Sequence, residues 1–396
     1  MVRTLSLSPR HTGWVDRFVG LRYPLVAAAS VVIALLNRRV LPTDYVAFSG
    51  VGRLVWDGSW GSVFADKTIQ AGPLQLALIS AFRPLALIRP HLDVVALHLV
   101  GSVAVALGLM WGGAQLRRAA GSAAAPRVEL AVGVLALWWG LVDDPSALGH
   151  PAQVVVPALW VIAAVGARQN RPIIAGAALA VGSGFETWAL LGAAVLLLSP
   201  SVRSAIRAAA VATGTTAVIW LPFVLAGPFN MLRMEWEVER GTLIAQILGS
   251  TSFTSTMRLM QLAVAVAASA GVALLTRSRS ESVWLVPTAA VVARLAFDPL
   301  QFSYYWVAPL LLTMLAVMCT TGLRRPSTVG VLALMYCQVI ANDGAAKPAM
   351  LAASAGLLVV LMRLSRPPRT TVADRAGGGG PRQTRTADIL VVSEAL

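Results

Sequence analysis

The chain has 396 residues, of which 57% are hydrophobic and 13% charged, and its formal net charge is +14. Soluble domains are nearer to about 25% charged, and apolar runs of about 20 residues, long enough to cross a bilayer, recur from Tyr23 to Met362. The arginines are dispersed in short loops, which excludes a nucleic-acid partner. The sequence therefore predicts an all-α, polytopic transmembrane helical bundle.

The chain begins with a basic lead, residues 1–22, which we expect in the cytoplasm. The first apolar run extends from about Tyr23 to Val40, and it is not a removable signal because no small-residue cleavage site follows it. The two cysteines, Cys319 and Cys337, lie inside later apolar runs, so they indicate neither a disulfide framework nor a metal site.

The first long polar interruption, residues 42–75, begins with an acid, Asp44. Helical spacing after this acid aligns apolar residues on one stripe, at Tyr45, Phe48, Gly52, Val55 and Trp56. This pattern predicts a helix that lies on the bilayer surface. Gly72-Pro73 then breaks the chain before it returns to apolar sequence. An acid beside an interfacial helix is a candidate reaction site, and an ordinary connecting loop is the alternative.

The remaining apolar runs predict helices at 94–113, 128–142, 152–167, 208–225, 259–276, 283–297 and 307–319, and a last hairpin of 329–340 and 348–362. Residues 72–88 are interrupted by Arg83-Pro84, and we expect them to form a partial or re-entrant segment. Residues 172–199 are too long for one straight helix, so we expect two short helices that meet near Glu186. The tail, residues 363–396, has proline pairs and a glycine run and is predicted to be disordered in the cytoplasm.

Charged residues separate along these elements. One set of loops carries arginines, at positions 117, 118, 127, 168, 171, 203, 207, 277, 279, 324, 325, 363, 366 and 369. The other set carries acids, at positions 44, 57, 66, 143, 144, 235, 237, 239, 298 and 343. The positive-inside rule places the arginine-bearing loops in the cytoplasm, and the transmembrane domain, residues 23–362, then makes about twelve crossings with Asp44 outside.

Two motifs carry a resemblance to a known family. The first is Asp44-Tyr45-Val46-Ala47-Phe48 followed by Gly52-Arg53 and Asp57-Gly58, and the second is Gly149-His150 followed by Arg171-Pro172, Ala175-Gly176 and Gly184. In layout and motif order, roughly residues 22–365 resemble the GT-C superfamily of integral-membrane glycosyltransferases. The chain is most similar to glycosyltransferase family 87, which includes polyprenyl-phosphate-mannose-dependent α-mannosyltransferases.

The resemblance implies a GT-C-like fold and transfer of a sugar, most typically mannose, from a polyprenyl-phosphate donor to a glycolipid or lipoglycan acceptor. It places the reaction on the outer side of a bacterial plasma membrane and requires neither a cofactor nor a divalent metal ion. The proposed catalytic base of the family maps onto Asp44. A carboxylate fixed at the membrane edge can accept the proton that the attacking sugar hydroxyl loses.

The sequence departs from this family at Glu186, where related chains often have a basic residue. Because an acid repels phosphate, we expect the donor phosphate to contact Arg53, His150 or Arg258 instead. Glu186 either binds an acceptor hydroxyl or forms a hydrogen bond within a hairpin turn. Ionisable groups at membrane depth are more often functional.

Several further residues have two interpretations. Tyr304 and Tyr305 could stack on a sugar ring, or belong to an interfacial aromatic belt. Asp143-Asp144 precedes a proline and is typical of a turn more than of a cation site. The acids between Gly227 and Arg258 indicate a solvated loop. The alternative function is a transporter or flippase for lipid-linked sugars, although such proteins usually have an internal repeat, and none is evident here.

Overall fold

The structure is a computed structural model, and it describes residues 16–36, 43–119, 125–138, 150–233, 236–239, 242, 244–245, 249, 252–300 and 302–319. The predicted C-terminal hairpin and tail lie outside these residues, as do Asp143-Asp144, Glu235, Asp343 and Cys337. Helices dominate the described part, and its one sheet is two-stranded and antiparallel, with Trp236 paired to Phe253 and Glu237 to Ser252. The all-α prediction is therefore confirmed for this part of the chain.

The α-helices are numbered in chain order. They are α1 Arg22–Leu36, α2 Thr43–Trp56, α3 Trp60–Val63, α4 Pro73–Ser80, α5 Leu92–Ala119, α6 Pro126–Trp138, α7 Ala152–Arg168, α8 Pro172–Phe185, α9 Val202–Ala226, α10 Ser255–Thr276, α11 Ser282–Ala296 and α12 Val307–Cys319. The 3-10 helices are Arg83–Leu87, Thr187–Leu198, Met231–Arg233 and Ser303–Trp306, and the strands are β1 Trp236–Glu237 and β2 Ser252–Phe253.

Three helices are long and apolar enough to cross a bilayer: Leu92–Arg118, Val202–Ala226 and Ser255–Thr276. Several shorter apolar helices of 10–17 residues pack around them, α7 and α8 among them. The side chains of Val218 and Leu225 on α9 are 74% and 75% exposed. Apolar surface of this extent suits contact with lipid rather than with water. The described chain therefore has the character of a helical membrane protein.

The predicted helices agree with the observed ones in position, and the differences lie at their ends. α9 begins at Val202 rather than near Ala208. α10 begins at Ser255, so Arg258 lies in its first turn rather than in the preceding loop. The segment 172–199 does consist of two helices that meet at Glu186, but the second of them, Thr187–Leu198, is a 3-10 helix.

The bundle has two chemically different ends. At one end the guanidinium group of Arg168 donates hydrogen bonds to the carbonyl groups of Arg277 and Arg279, which joins the end of α7 to the turn between α10 and α11. α7 begins just after His150, α8 ends just before Glu186, and α11 ends near Asp298. We call these the arginine end and the acidic end. The separation matches the alternation of charge along the sequence.

The core between the two ends is close-packed. Trp160 of α7 and Trp284 of α11 are among the largest fully buried side chains of the described residues. The indole of Trp160 donates a 2.7 Å hydrogen bond to the carbonyl of Ala189, which ties the 3-10 helix to α7. A Cβ atom at Gly192 would lie 2.2 Å from the Trp160 nitrogen. Only glycine permits this approach, so the contact fixes the 3-10 helix that follows Glu186.

The segment containing α4 enters and leaves at the acidic end. At its start the amide of Gly72 donates to the carbonyl of Phe185 over 2.7 Å. After its end, in the first turn of α5, Asp93 accepts a 2.7 Å hydrogen bond from the Tyr45 hydroxyl. α4 has 8 residues and is about 12 Å long, and the 3-10 helix Arg83–Leu87 follows it after two residues. Together they form a short apolar segment, Pro73–Leu87. A re-entrant path for residues 72–88 stays a prediction.

Candidate functional site

Helix α2 brings Asp44 to the acidic end. Tyr45 is 2% exposed and hydrogen-bonds Asp93, while its ring packs with Ile79 and Val94. One turn further along α2, Phe48 meets the His150 ring edge-on at 5.4 Å. Tyr45, Phe48 and Gly52 of the predicted apolar stripe thus face the bundle, whereas Trp56 at its end is 64% exposed, and the packing of Tyr45 and Phe48 orients Asp44. The Asp44 side chain remains 50% exposed, so it can reach a substrate.

His150 lies at the centre of the site. Its Nε2 atom is 2.9 Å from Oδ2 of Asp44, and its Nδ1 atom is 3.9 Å from Oε1 of Glu186. The imidazole also stacks on the ring of Tyr304, with centroids 4.2 Å apart and an interplanar angle of 9°. The side chain is 9% exposed. The structure therefore assembles a carboxylate, an imidazole and a second carboxylate from three distant parts of the chain.

The position of Glu186 is set by the break between α8 and the 3-10 helix. Its backbone is extended, with φ −154° and ψ 145°, and it forms an isolated bridge to Ala71. A Cβ atom at Gly72 would lie 2.3 Å from the carbonyl oxygen of Gly184, so the re-entrant segment contacts this break directly. The indole of Trp188 donates a hydrogen bond to Oε2 of Glu186. Glu186 is thus held by backbone on one side and by an indole on the other.

A second polar cluster lies beside the first. Its central residue is Arg294, which was not predicted from the sequence. Arg294 and Asp298, both 3% exposed or less, form an ion pair at 3.4 Å. Gln261 donates to the carbonyl of Arg294 at 3.0 Å and to Asp298 at 3.3 Å. The sequence feature that could have revealed Arg294 is its position inside the apolar run 283–297, because ionisable groups at membrane depth are often functional.

The two clusters meet at Trp188 and Tyr305. The guanidinium carbon of Arg294 lies 3.9 Å from the centroid of the Trp188 ring and 4.9 Å from that of Tyr305. Trp188 is the same side chain that donates to Glu186. Tyr305 packs edge-on against Tyr304, which stacks on His150. One continuous set of contacts therefore links Asp44 to Arg294.

The donor-phosphate candidates fall in different places. Arg258 lies next to the second cluster, because its Nη1 atom donates a 2.7 Å hydrogen bond to Gln261. Arg53 pairs with Asp57 at 3.0 Å and is 62% exposed. It lies nine residues after Asp44 on α2, about 13 Å along the helix axis. The structure thus brings His150, Glu186 and Arg258 into one region and leaves Arg53 outside it.

The two predicted stacking tyrosines lie in the site, and protein groups already cover parts of both rings. His150 stacks on Tyr304, and Arg294 lies over Tyr305. Sugar stacking on these rings stays a prediction. Within the described ranges, no three side chains of His, Cys, Asp or Glu are grouped as a metal ion would require.

The contact between Asp44 and His150 shifts both groups toward their charged forms. The hydrogen bond from His150 lowers the pKa of Asp44 below its ordinary value, although partial burial opposes this shift. Burial acts to lower the pKa of His150, but the hydrogen bond to Asp44 and the charge of Glu186 outweigh it, so the pKa is raised. Both shifts favour the charged forms, an aspartate beside an imidazolium.

No protein-family model matches the chain, and no curated protein is significantly similar to it. The half-exposed carboxylate of the site is oriented by a buried imidazole, and buried polar groups lie beside it. This arrangement can accept a proton from a bound hydroxyl and can stabilise negative charge a short distance away.

Proposed function

We propose that the protein is a membrane glycosyltransferase that transfers a sugar from a polyprenyl-phosphate donor to a lipid-linked acceptor. The observation that carries the proposal is the contact between Asp44 and His150. His150 is too deeply buried to touch a substrate, whereas Asp44 is half exposed. Asp44 is therefore the group that takes the proton, and His150 holds it in place.

The reaction needs one base and one stabilised leaving group. The acceptor hydroxyl oxygen forms a bond to the anomeric carbon of the donor sugar, and its proton passes to Asp44. The bond between the anomeric carbon and the phosphate oxygen breaks, and its electron pair leaves with the polyprenyl phosphate. A cation near the phosphate stabilises the charge that develops there. Arg258 is the best placed of the candidates, because Gln261 connects it to the second cluster.

A shallow, open apolar groove supports the choice of a lipid-linked donor. It has a volume of about 550 Å³ and lies between the 3-10 helix Thr187–Leu198 and α10, lined by Leu190, Ala193, Leu259, Leu262, Ala263, Val266 and Ala267. Two of the lining residues are close in sequence to residues of the site. Leu259 follows Arg258, and Leu190 is two residues after Trp188. A polyprenyl chain in this groove would extend from a phosphate held at Arg258.

The proposed membrane topology follows from the two ends of the bundle. The arginine end faces the cytoplasm, and the acidic end faces the outer side of a bacterial plasma membrane. With α4 re-entrant, the described helices alternate between the two ends, and the hairpin predicted at 329–362 brings the total to about twelve crossings. The outer side contains no nucleotide sugars, so a donor linked to a lipid suits this location.

The acceptor and the sugar are proposed from the chemistry of the site and from the resemblance to family 87. The acceptor is a glycolipid or lipoglycan that presents a sugar hydroxyl at the membrane surface, next to α2. Mannose is the proposed sugar, as the resemblance to family 87 implies. Neither a cofactor nor a divalent cation takes part, since the carboxylate and the arginine provide the base and the electrophilic stabilisation.

The test uses the acceptor that the cell itself accumulates. Glycolipids from a deletion strain are compared with those of the parent by mass spectrometry, and we expect one species to lack a hexose. The purified protein in nanodiscs is then given that lipid and polyprenyl-phosphate-[¹⁴C]mannose, and label should move to the lipid. Unchanged glycolipids together with no transfer of label would rule out the enzyme. Lipid-linked sugar that accumulates on the inner leaflet would instead indicate a flippase.

A further inference from the structure

The proposed reaction leaves one buried atom unexplained. Nδ1 of His150 is shielded from solvent and has no hydrogen-bond partner. It lies 3.9 Å from Oε1 of Glu186, and the Glu186 side chain is 13% exposed. The mechanism uses only the other ring nitrogen, Nε2, which contacts Asp44. The protonation states of Nδ1 and of Glu186 decide whether this contact is attractive or repulsive.

Electrostatics restricts the answer. With Asp44 ionised, Nε2 of His150 must carry a proton to form the 2.9 Å contact. If Nδ1 were bare and Glu186 ionised, two electron-rich atoms would face each other in a buried site, and neither would be satisfied. One additional proton removes this conflict, because it turns the contact into a charge-assisted one.

The groups around the contact do not supply that positive charge. Trp188 donates a hydrogen bond to Oε2 of Glu186 but is neutral. Tyr304 stacks on the imidazole and Phe48 meets its edge, and both are neutral as well. Arg294 lies beyond Trp188, and its charge is paired with Asp298. The compensating charge must therefore come from a proton on His150 or Glu186.

We infer that Nδ1 of His150 carries a proton and faces the Glu186 carboxylate as an ion pair, so that Glu186 keeps His150 as an imidazolium and thereby keeps Asp44 ionised. Two carboxylates and one imidazolium carry a single net negative charge. When Asp44 takes the acceptor proton, the three groups together become neutral. Glu186 is thus a positioning residue that acts on the base through His150. Its effect on transfer rests on the proposed function, but the location of the proton does not.

The direct measurement is ¹⁵N NMR of histidine-labelled protein in nanodiscs. The chain has four histidines, and the signal of His150 is identified by its loss in His150→Gln. At pH 7 we expect imidazolium shifts for His150 in the parent protein and in Glu186→Asp. In Glu186→Gln we expect a neutral ring, because the amide can donate to a bare Nδ1. A neutral His150 in the parent, or an imidazolium in Glu186→Gln, would overturn the inference.

The transfer assay gives a second, independent readout. Loss of the imidazolium should raise the pKa of Asp44 in Glu186→Gln, so the acid limb of the pH–rate profile should move up by about 1 pH unit. Glu186→Asp should restore the parental profile, which a merely structural role would not predict. Glu237→Gln, at an exposed acid of β1, is the matched control. An unshifted acid limb in Glu186→Gln would contradict the coupling to Asp44. A further outcome separates the two claims. If the NMR shifts are as expected but neither the parent nor any variant transfers sugar, the proposed function is wrong while the protonation of His150 stands.

Discussion

Nε2 of His150 lies 2.9 Å from Oδ2 of Asp44, although 106 residues separate them in the chain. The contact joins the first turn of α2 to the start of α7. Two features of α2 make it possible, since Tyr45 is anchored to Asp93 and Phe48 packs on the imidazole. An exposed carboxylate with a fixed orientation is the requirement for a general base, and this pair meets it.

The Asp44–His150 pair should make stability depend on pH. The pKa of His150 is raised above 6.5, so its contribution is complete below pH 6.5 and is lost as pH rises through the raised pKa. The pKa of Asp44 is lowered below 3.8, so its contribution is present above pH 3.8 and is lost as pH falls through the lowered pKa. Asp44→Asn should therefore lower the Tm more at about pH 5 than at about pH 9.

The measurement is thermal unfolding of both proteins in nanodiscs across this pH range. His150→Phe removes the titrating partner, so adding Asp44→Asn to His150→Phe should change the Tm equally at both pH values. A Tm difference between parent and Asp44→Asn that does not vary with pH would show that the contact is not an ion pair.

Arg258→Ala should weaken use of the donor, because it removes a charge-assisted hydrogen bond to phosphate. We expect transfer to fall by about 10- to 100-fold in kcat/KM for the polyprenyl-phosphate sugar, the equivalent of about 1.4–2.7 kcal/mol. Arg53→Ala is the matched control, because Arg53 is exposed and paired with Asp57. Equal effects of the two substitutions would place the phosphate elsewhere.

The sequence predicted most elements because their boundaries depend on local patterns. The apolar stripe of α2 and the interruption at Glu186 follow from residue spacing. The 3-10 form of Thr187–Leu198 does not, since a segment rich in alanine and leucine favours an α-helix. The 3-10 form coincides with a tertiary contact, the hydrogen bond from Trp160 to the carbonyl of Ala189. Local sequence does not encode this contact.

The candidate site was predictable in its members but not in its assembly. Asp44 and His150 were identifiable as polar residues at the ends of apolar runs, and Glu186 as an acid in the middle of the segment 172–199. Their convergence depends on how α2, α7 and α8 pack, and on the contact of Gly72 with Gly184. Arg294 was missed because it lies inside an apolar run, where only its unfavourable burial indicates a role.

The packing of α2 on α4 can be tested with two glycines of the same helix. A Cβ atom at Gly52 would lie 2.3 Å from the carbonyl oxygen of Leu76, whereas one at Gly50 would meet nothing within 4 Å. Gly52→Ala should therefore destabilise the protein by about 1–3 kcal/mol and displace α2. Gly50→Ala should be neutral or stabilising by up to about 1 kcal/mol. Thermal unfolding checks both, and identical Tm values would contradict this packing.

The orientation of the bundle can be tested by thiol labelling in intact cells. Ser59 follows α2 near the acidic end, Ser278 lies at the arginine end, and both are exposed. In a background with Cys319 and Cys337 replaced, Ser59→Cys should react with an impermeant reagent and Ser278→Cys should react only after permeabilisation. The reverse pattern would place the acidic end in the cytoplasm and exclude chemistry on the outer side.

The most direct test of the proposed base is Asp44→Asn. Asparagine fits the same space and can still accept the hydrogen bond from His150, but it takes no proton at neutral pH. Expression and Tm near pH 9 should stay close to parental, while transfer falls by roughly 10²–10⁴-fold. The control is Asp57→Asn. Asp57 lies just after the far end of α2 and pairs with Arg53, so this variant should retain parental transfer. Parental transfer by Asp44→Asn would show that Asp44 serves only as a partner of His150, and the base would then have to be sought at Glu186.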